Sequence, residues 1–311
     1  MTILFYAVLW AGGLIFLAGC LARILQYARA PLHLRWELYP VPHEAPERAR
    51  HGGSYFEESE WWNRPAHFNL LGELRAMIPE MLFLKALREF NRTLWYRSFP
   101  FHFGLYLLIG SALLLGITAL LSFVWPLVVI HPAGRLLHYA YTLCGAAGAL
   151  LAVLGALGLL HRRLADPALS PYTTGGDIFN LLLFILTLGA AGAGYVFTGP
   201  EDPSVLEIAR GLLSFDAALR VPPLLGAGLI LGALLAAYIP FTHMSHFIAK
   251  YFTYHSVRWD DAPGRRSEAL RRKFAEYLTY RPTWSAPHMG SDGTKTWADI
   301  ATANPAQGVK K

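Results

Sequence analysis

The sequence has little charge and almost no cysteine. Charged residues make up 15% of the 311 residues and hydrophobic residues 54%, whereas soluble domains usually carry about a quarter charged residues. This shortage excludes an ordinary soluble domain. Cys20 and Cys144 both lie in apolar segments, so the sequence lacks cysteine clusters for iron–sulfur centres and the CxxCH motif that attaches c-type haem. An iron–sulfur centre that works with this chain must therefore belong to a partner.

Five apolar segments are each long enough to cross the hydrocarbon core of a membrane, which takes about 20 helical residues. They are Ile3–Leu25, His102–Val124, Leu136–Leu160, Ile178–Phe197 and Val221–Phe247. The sequence therefore predicts an all-α integral membrane protein, a five-helix bundle. The centres of these segments carry no acidic or basic side chain, which argues against a transporter.

Lysine and arginine are distributed very unevenly between the two sides of the predicted bundle. Of the 27 such residues, only Arg135, Arg210 and Arg220 fall on the side that holds the amino terminus. Because basic loops stay in the cytoplasm, the amino terminus is predicted outside, and the long first loop and carboxyl tail inside. This orientation is that of a multi-pass protein of the inner membrane. The net charge of +6 reflects the same bias, so we infer no nucleic-acid partner.

The pattern divides the chain into four parts. We predict a first transmembrane helix in residues 1–26, a cytoplasmic loop in 27–99, a four-helix membrane bundle in 100–248 and a basic cytoplasmic tail in 249–311. Within the loop, Ala66–Arg92 has the spacing of an amphipathic helix broken near Pro79. That helix is expected either on the membrane or a partner, or against its own bundle. Outside, Val205–Arg220 is a second amphipathic stretch, with Ser204 and Glu207 spaced as a capping box.

Two histidines at the same predicted depth of different helices carry the main functional signal. His102 begins the second helix and His246 ends the fifth, both near the cytoplasmic boundary. Histidine is costly inside a membrane, and neutral imidazole is a good ligand for haem iron. Antiparallel packing would let the two rings hold one haem between them. The alternative is that both are interfacial residues solvated by headgroups. Glycines on both helices are expected to admit a neighbouring helix or a flat macrocycle; they are Gly104, Gly110, Gly226, Gly228 and Gly232.

Basic residues near the same boundary are candidates to bind the haem propionates. His243 lies three residues before His246 and so on nearly the same face of a helix, where it is either the ligand itself or a propionate partner. Arg97, Arg162 and Arg163 are further candidates, because guanidinium groups pair well with carboxylates.

The remaining histidines have weaker assignments. His138, at the outer end of the third helix, is a candidate contact for a second haem or a quinol, or an interfacial residue. Tyr141 and Glu207 are weaker candidates as proton acceptors on that side. His161 is expected to anchor the interface. Six further histidines lie in predicted soluble segments and are treated as surface residues: His33, His43, His51, His67, His255 and His288.

Three stretches resemble the gamma subunit of respiratory nitrate reductase. Leu160–Leu164, followed by Pro167 and Thr173–Ile178, resembles the stretch that joins helices three and four in that family. Phe101–Gly104 resembles its helix-two ligand motif. Pro240–His246 resembles its helix-five ligand motif, with His246 at the ligand position and His243 where the family often has a basic residue. The resemblance favours His246 as the ligand and the propionate role for His243.

The start of the first loop, Arg35–Glu44, is similar to membrane cytochrome b subunits of sulfate reducers and sulfur oxidisers, among them the M subunit of the sulfite-reduction-associated complex. The resemblance implies b-type haem, exchange of electrons with menaquinone or a periplasmic cytochrome, and a cytoplasmic iron–sulfur partner. The nitrate reductase subunit holds a second haem with one more histidine on each of helices two and five. The matching places fall near Ala112 and Gly228, which cannot bind iron, so we expect one haem, with His138 as the candidate for a second.

These observations together predict a b-type cytochrome subunit of a respiratory, quinol-linked oxidoreductase complex. It would relay electrons to or from other membrane or periplasmic redox subunits, and no catalytic residue is assigned. The alternative is a haem-free membrane anchor for a cytoplasmic redox enzyme.

Overall fold

The computed structural model describes residues 2–29, 70–256, 268–284 and 291–303. This part of the chain is helical and contains no strand. Five helices are long and apolar enough to cross a membrane, as predicted. They are α1 (Thr2–Arg29), α4 (Arg92–Val124), α5 (Pro132–Ala165), α6 (Gly175–Val196) and α8 (Pro223–Tyr238).

Shorter helices lie between and after the five long ones. They are α2 (Leu70–Phe83), α3 (Lys85–Phe90), α7 (Val205–Ser214), α9 (His246–Ser256), α10 (Glu268–Leu278) and α11 (Trp297–Thr302). The chain forms two compact units, one of Met1–Leu25 with Asn69–Ile248 and one of Gln26–Phe68 with Ala249–Lys311. The predictions for Arg35–Glu44 and for the side chains of His33, His43, His51, His67, His255 and His288 lie outside the described residues.

The bounds of α4 and α8 differ most from those of the predicted apolar segments. α4 begins at Arg92, where the side chain of Asn91 accepts a hydrogen bond from the Leu94 N–H. His102 therefore lies inside the helix and does not begin it as predicted. α8 ends at Tyr238, and 3₁₀ turns at Ile239–Phe241 and His243–Ser245 follow it.

The interruption after α8 corrects the expected position of His246, which begins α9 instead of ending the fifth helix. Pro240 has no N–H to continue the helical hydrogen bonds. Thr242 has extended backbone, and its hydroxyl accepts a hydrogen bond from the Met244 N–H, so a new turn starts there. The sequence predicted that His243 and His246 share one face of a continuous helix, and this prediction is wrong because the helix is interrupted between them.

The amphipathic helix of the first loop is broken later than predicted. Pro79 lies within α2, and the break falls at Leu84, whose φ of 51° is in the left-handed region. Side chains of α4 hold the end of α2, since Trp95 donates to the Phe83 carbonyl at 2.8 Å and Tyr106 to the Met81 carbonyl at 2.7 Å. The end of α2 therefore packs on its own bundle, which was the alternative to a position on the membrane or a partner.

The capping box of α7 is present as predicted. The Ser204 hydroxyl accepts a hydrogen bond from the Glu207 N–H, and the Glu207 carboxylate accepts one from the Ser204 N–H at 2.8 Å. The helix ends at Ser214, earlier than predicted, because Phe215 adopts a left-handed conformation with a φ of 56°.

One stripe of α1 binds the last turn of α7 and the chain that follows it. Three side chains spaced four residues apart each donate to a main-chain carbonyl: Thr2 to Leu219, Tyr6 to Asp216 and Trp10 to Leu212, at 3.0 to 3.1 Å. Residues four apart lie on one side of a helix. These bonds satisfy carbonyls that the ends of α7 and its connector leave without a helical partner.

Glycines bring the long helices together in pairs. A Cβ built on Gly104 of α4 would lie 2.5 Å from the Ala152 nitrogen of α5, and one built on Gly228 of α8 would lie 2.4 Å from the Ala191 nitrogen of α6. Backbone contact of this kind requires glycine. Close packing thus joins α4 to α5, α5 to α6 and α6 to α8, while α4 and α8 share no comparable interface within the described residues.

We expect Gly104→Ala to lower thermal stability in detergent, because the added methyl would push α4 away from the backbone of α5; overpacking typically costs about 1–3 kcal/mol. Gly110→Ala is the matched control on the same helix, since nothing lies within 4 Å of a Cβ built there. It is expected to be neutral or stabilising, because alanine favours helix. Equal melting temperatures for the two variants would contradict the tight contact at Gly104.

The capping box predicts a pH-dependent contribution to stability. Hydrogen bonds from the Ser204 N–H and hydroxyl lower the pKa of the Glu207 carboxyl. The stabilisation is therefore complete above the pKa of an unfolded glutamate, about 4.3, and is lost as the pH falls through the lower folded pKa. The melting temperature of Glu207→Gln should lie below that of wild type at pH 7, and the two should converge in acid. Glu201→Gln, in the preceding turn, should show no such convergence.

Candidate functional site

The structure brings His102 and His246 together. Their ring centroids are 6.1 Å apart, and the ring planes cross at 69°. His102 projects from the third turn of α4, and His246 is the first residue of α9. His102 is half-buried and His246 is exposed, so the pair lies at the margin of the bundle, where a ligand can reach it.

Main-chain carbonyls orient both imidazole rings. The Nδ1 of His102 lies 2.8 Å from the Ser98 carbonyl oxygen, and the Nδ1 of His246 lies 3.2 Å from the His243 carbonyl oxygen. A ring nitrogen beside a carbonyl must carry the proton, so in each neutral ring Nε2 carries the lone pair. This arrangement is typical of histidines that bind a metal through Nε2.

The spacing of the rings fits one metal ion between them. Metal–imidazole bonds of about 2 Å place the centres of two rings on opposite sides of an ion about 6 Å apart, close to the distance between His102 and His246. Within the described residues no group of three or more His, Cys, Asp or Glu side chains could hold an ion alone. Two imidazoles are the number of axial ligands that a haem iron takes, because the porphyrin supplies its other four nitrogen ligands.

Aromatic packing fixes the helix turn that carries His102. The Phe101 ring meets His102 edge-on at 5.4 Å and Phe184 of α6 at 5.0 Å. Its backbone contacts Gly155 of α5, where a Cβ would come within 2.4 Å of the Phe101 nitrogen. The face of α4 that holds Phe101 thus lies against α5 and α6, and His102, one residue on, points about 100° away from it.

Helix α1 supports the interruption that precedes His246. Arg23 donates from Nε to the Pro240 carbonyl at 2.9 Å. A Cβ on Gly19, one turn earlier, would lie 2.7 Å from the Pro240 side chain. Sequence reasoning used Arg23 only to orient the chain, and the signal it missed was a cation inside an apolar segment.

The predicted propionate partners lie at the beginning of α4, at the end of α5 and just before α9. Arg162 pairs with Asp166 at 3.6 Å, and Arg163 pairs with Asp177 at 3.5 Å. The stem of Arg97 lies against Gly158, and its guanidinium donates to the Thr93 carbonyl. His243 is exposed.

Two buried polar side chains on α6 were missed by the sequence analysis. Asn180 and Thr187 are 6% and 3% exposed, and their side-chain oxygens Oδ1 and Oγ1 have no hydrogen-bond partner among the described residues. Polar groups inside a membrane bundle are rare without a role. The Asn180 Oδ1 is thus a buried acceptor that no other described group uses. Asn180 lies four residues before Phe184 and so on the same side of α6. A polar residue on that apolar side was the signal that could have revealed it.

His138 lies far from the histidine pair. It is seventeen residues before Gly155, the contact of Phe101, which corresponds to about 25 Å along α5. Its Nδ1 is 2.7 Å from the hydroxyl of Tyr141, which is buried. Glu207, the other candidate on that side, is engaged in the capping box. His138 therefore cannot share an ion with His102 and His246.

We expect Arg23→Met to lower the melting temperature in detergent, because the buried Pro240 carbonyl would lose its charged donor; an unsatisfied buried group costs about 1–3 kcal/mol. Arg29→Met, in the last turn of the same helix, is the control and should have little effect. Equal losses in both variants would mean that the Arg23 contact contributes nothing specific.

The comparison with protein-family models gives a match to the nitrate reductase gamma subunit over residues 88–260. No curated protein and no solved structure matches the chain. The matched region covers more than half of the sequence and includes α4 to α9 with both facing histidines. Members of the family are membrane b-type cytochrome subunits of respiratory oxidoreductases, and they associate with catalytic and iron–sulfur subunits. The chain belongs to the nitrate reductase gamma subunit family.

Proposed function

We propose that this chain relays electrons between menaquinol, or a periplasmic cytochrome, and a cytoplasmic iron–sulfur partner, as a subunit of a respiratory complex in the inner membrane. The observation that carries the proposal is the pair of facing imidazoles, His102 and His246, whose Nδ1 atoms both lie beside main-chain carbonyls. One haem b held by these two residues supplies a one-electron couple when bound.

The chain's own groups would set the affinity and the potential of that couple. The carbonyls of Ser98 and His243 raise the basicity of the two imidazoles, which strengthens them as ligands. Phe101, which packs on Phe184, covers one side of the His102 ring. A drier site favours the state with the smaller net charge.

We propose that Arg97, Arg162, Arg163 and His243 bind the propionates. Arginine pairs with carboxylates in a planar, two-bond geometry. Asp166 and Asp177 already hold Arg162 and Arg163 near the end of the bundle. A propionate that joins these pairs would find the guanidinium groups already positioned.

His138 is the candidate contact for menaquinol or a second iron at the opposite end. Its hydrogen bond with Tyr141 gives a neutral donor–acceptor pair of the kind that a quinol hydroxyl can join. A second haem is not part of the proposal, because the place expected for its helix-five ligand is Gly228, where the α6 backbone fills the space.

The reduced-minus-oxidised absorption spectrum of the purified chain tests the proposal. We expect a b-type spectrum with one haem per chain by the pyridine haemochrome assay. His102→Ala and His246→Ala should each lose most of the bound haem, since one imidazole alone would remain on the iron.

His138→Ala and His161→Ala are the controls and should keep the same haem content, because neither residue belongs to the facing pair. A colourless wild-type protein from haem-replete cells would reject the relay and leave the haem-free membrane anchor. Two haems per chain, with one lost in His138→Ala, would reject the single-haem arrangement.

A further inference from the structure

Helix α10, in the second compact unit and beyond the region matched by the family, presents an exposed aromatic face. Phe274 is 59% exposed, Tyr277 52% and Leu278 43%. Residues spaced three and four apart lie on one side of a helix. Tyr280 and Trp284, just after the helix, are also about half exposed.

The residues that follow α10 are held to each other by hydrogen bonds and ring contacts. The Trp297 N–H donates to the Tyr280 carbonyl at 3.0 Å. The Trp284 and Trp297 rings meet at 6.0 Å, and a capping box between Thr296 and Asp299 starts α11. The segments after α10 are thus tied to each other, so large apolar side chains are displayed in a fixed arrangement.

Basic side chains border the aromatic face of α10. At 100° per residue, Arg271 and Lys273 flank it on its two sides, while Arg272 and Glu276 lie opposite. Glu268, also opposite, pairs with Arg271 and Arg272. Over residues 265–281 the sequence has six Lys or Arg and two Glu. Aromatic side chains flanked by cations are the pattern of helices that lie in a membrane interface.

We infer that α10 binds the surface of an anionic membrane through Phe274, Tyr277 and Leu278. Tyrosine and tryptophan favour the headgroup region, and each nearby Lys or Arg adds attraction to anionic lipid. The membrane-spanning helices keep α10 at a high local concentration near the bilayer, so even a weak interaction would hold it there. The inference does not depend on haem binding.

Nitroxide labels on the full-length protein test this binding. In a Cys20→Ala/Cys144→Ala background, Tyr277→Cys and Glu276→Cys place a label on the aromatic and on the opposite side of α10. In vesicles containing phosphatidylglycerol, the label at position 277 should be more accessible to oxygen than to a water-soluble nickel chelate, and the label at 276 should show the reverse. In phosphatidylcholine vesicles, or in high salt, the preference at 277 for oxygen should be lost.

Charge variants supply the matched comparison. Arg271→Gln/Lys273→Gln should abolish the oxygen preference at 277, whereas Arg272→Gln, on the far side, should retain it. Equal nickel accessibility at 276 and 277 in anionic vesicles would overturn the inference. A label at 277 that is shielded from both reagents would also overturn the inference, because the face would then contact protein. This applies to shielding in the isolated chain and to shielding that appears only when an iron–sulfur partner is added. The haem absorbance of each sample reports separately on the proposed function.

Discussion

Backbone contact between glycines and their neighbours is the constraint on which the bundle depends. Lipid tails are as apolar as leucine, so membrane helices gain little from hydrophobic burial and associate where small residues let backbones approach. Gly104 places α4 on α5, and Gly228 places α8 on α6. Since each helix meets its glycine partner elsewhere, α4 and α8 do not close on each other. The rings of His102 and His246 face one another at the margin of the bundle.

The interruption after α8 shows how side chains make an irregular backbone tolerable at membrane depth. A broken helix leaves carbonyls without partners, and hydrocarbon offers none. Thr242 and Ser245 donate to the carbonyls of Ile239 and Thr242, and Arg23 reaches the Pro240 carbonyl from α1. The stripe of Thr2, Tyr6 and Trp10 does the same for the connector after α7. α1 lies outside the region that the family model matches, yet both ends of the last span depend on it.

Hydropathy predicted the five spans because it is averaged over the length of a helix. The histidine pair was predicted because histidine is rare inside a membrane. The exact bounds need local information. Arg92 and Arg97 lie in α4 although the apolar segment begins only at His102, and Pro240 ends α8 inside a segment that stays apolar to Phe247. Asn180 and Arg23 escaped notice because their roles depend on which helix lies opposite, which periodicity in a single segment does not report.

The position of the histidine pair bears on the electron donor. The hydrocarbon core is about 30 Å thick, and one haem at the proposed site, near the end of the bundle that carries His102, would leave most of that distance without a carrier. His138 lies about 25 Å farther along α5 and faces Tyr141. The place on α8 that the resemblance indicates for a second haem ligand is Gly228, whose missing side chain lets α6 pack there. A donor docked at the far surface would therefore need a second carrier from another subunit. Menaquinol dissolves in the bilayer and needs no second carrier where it approaches the same half of the membrane as the pair. The proposed single-haem arrangement therefore favours menaquinol oxidised there over a periplasmic cytochrome, and over menaquinol bound at His138.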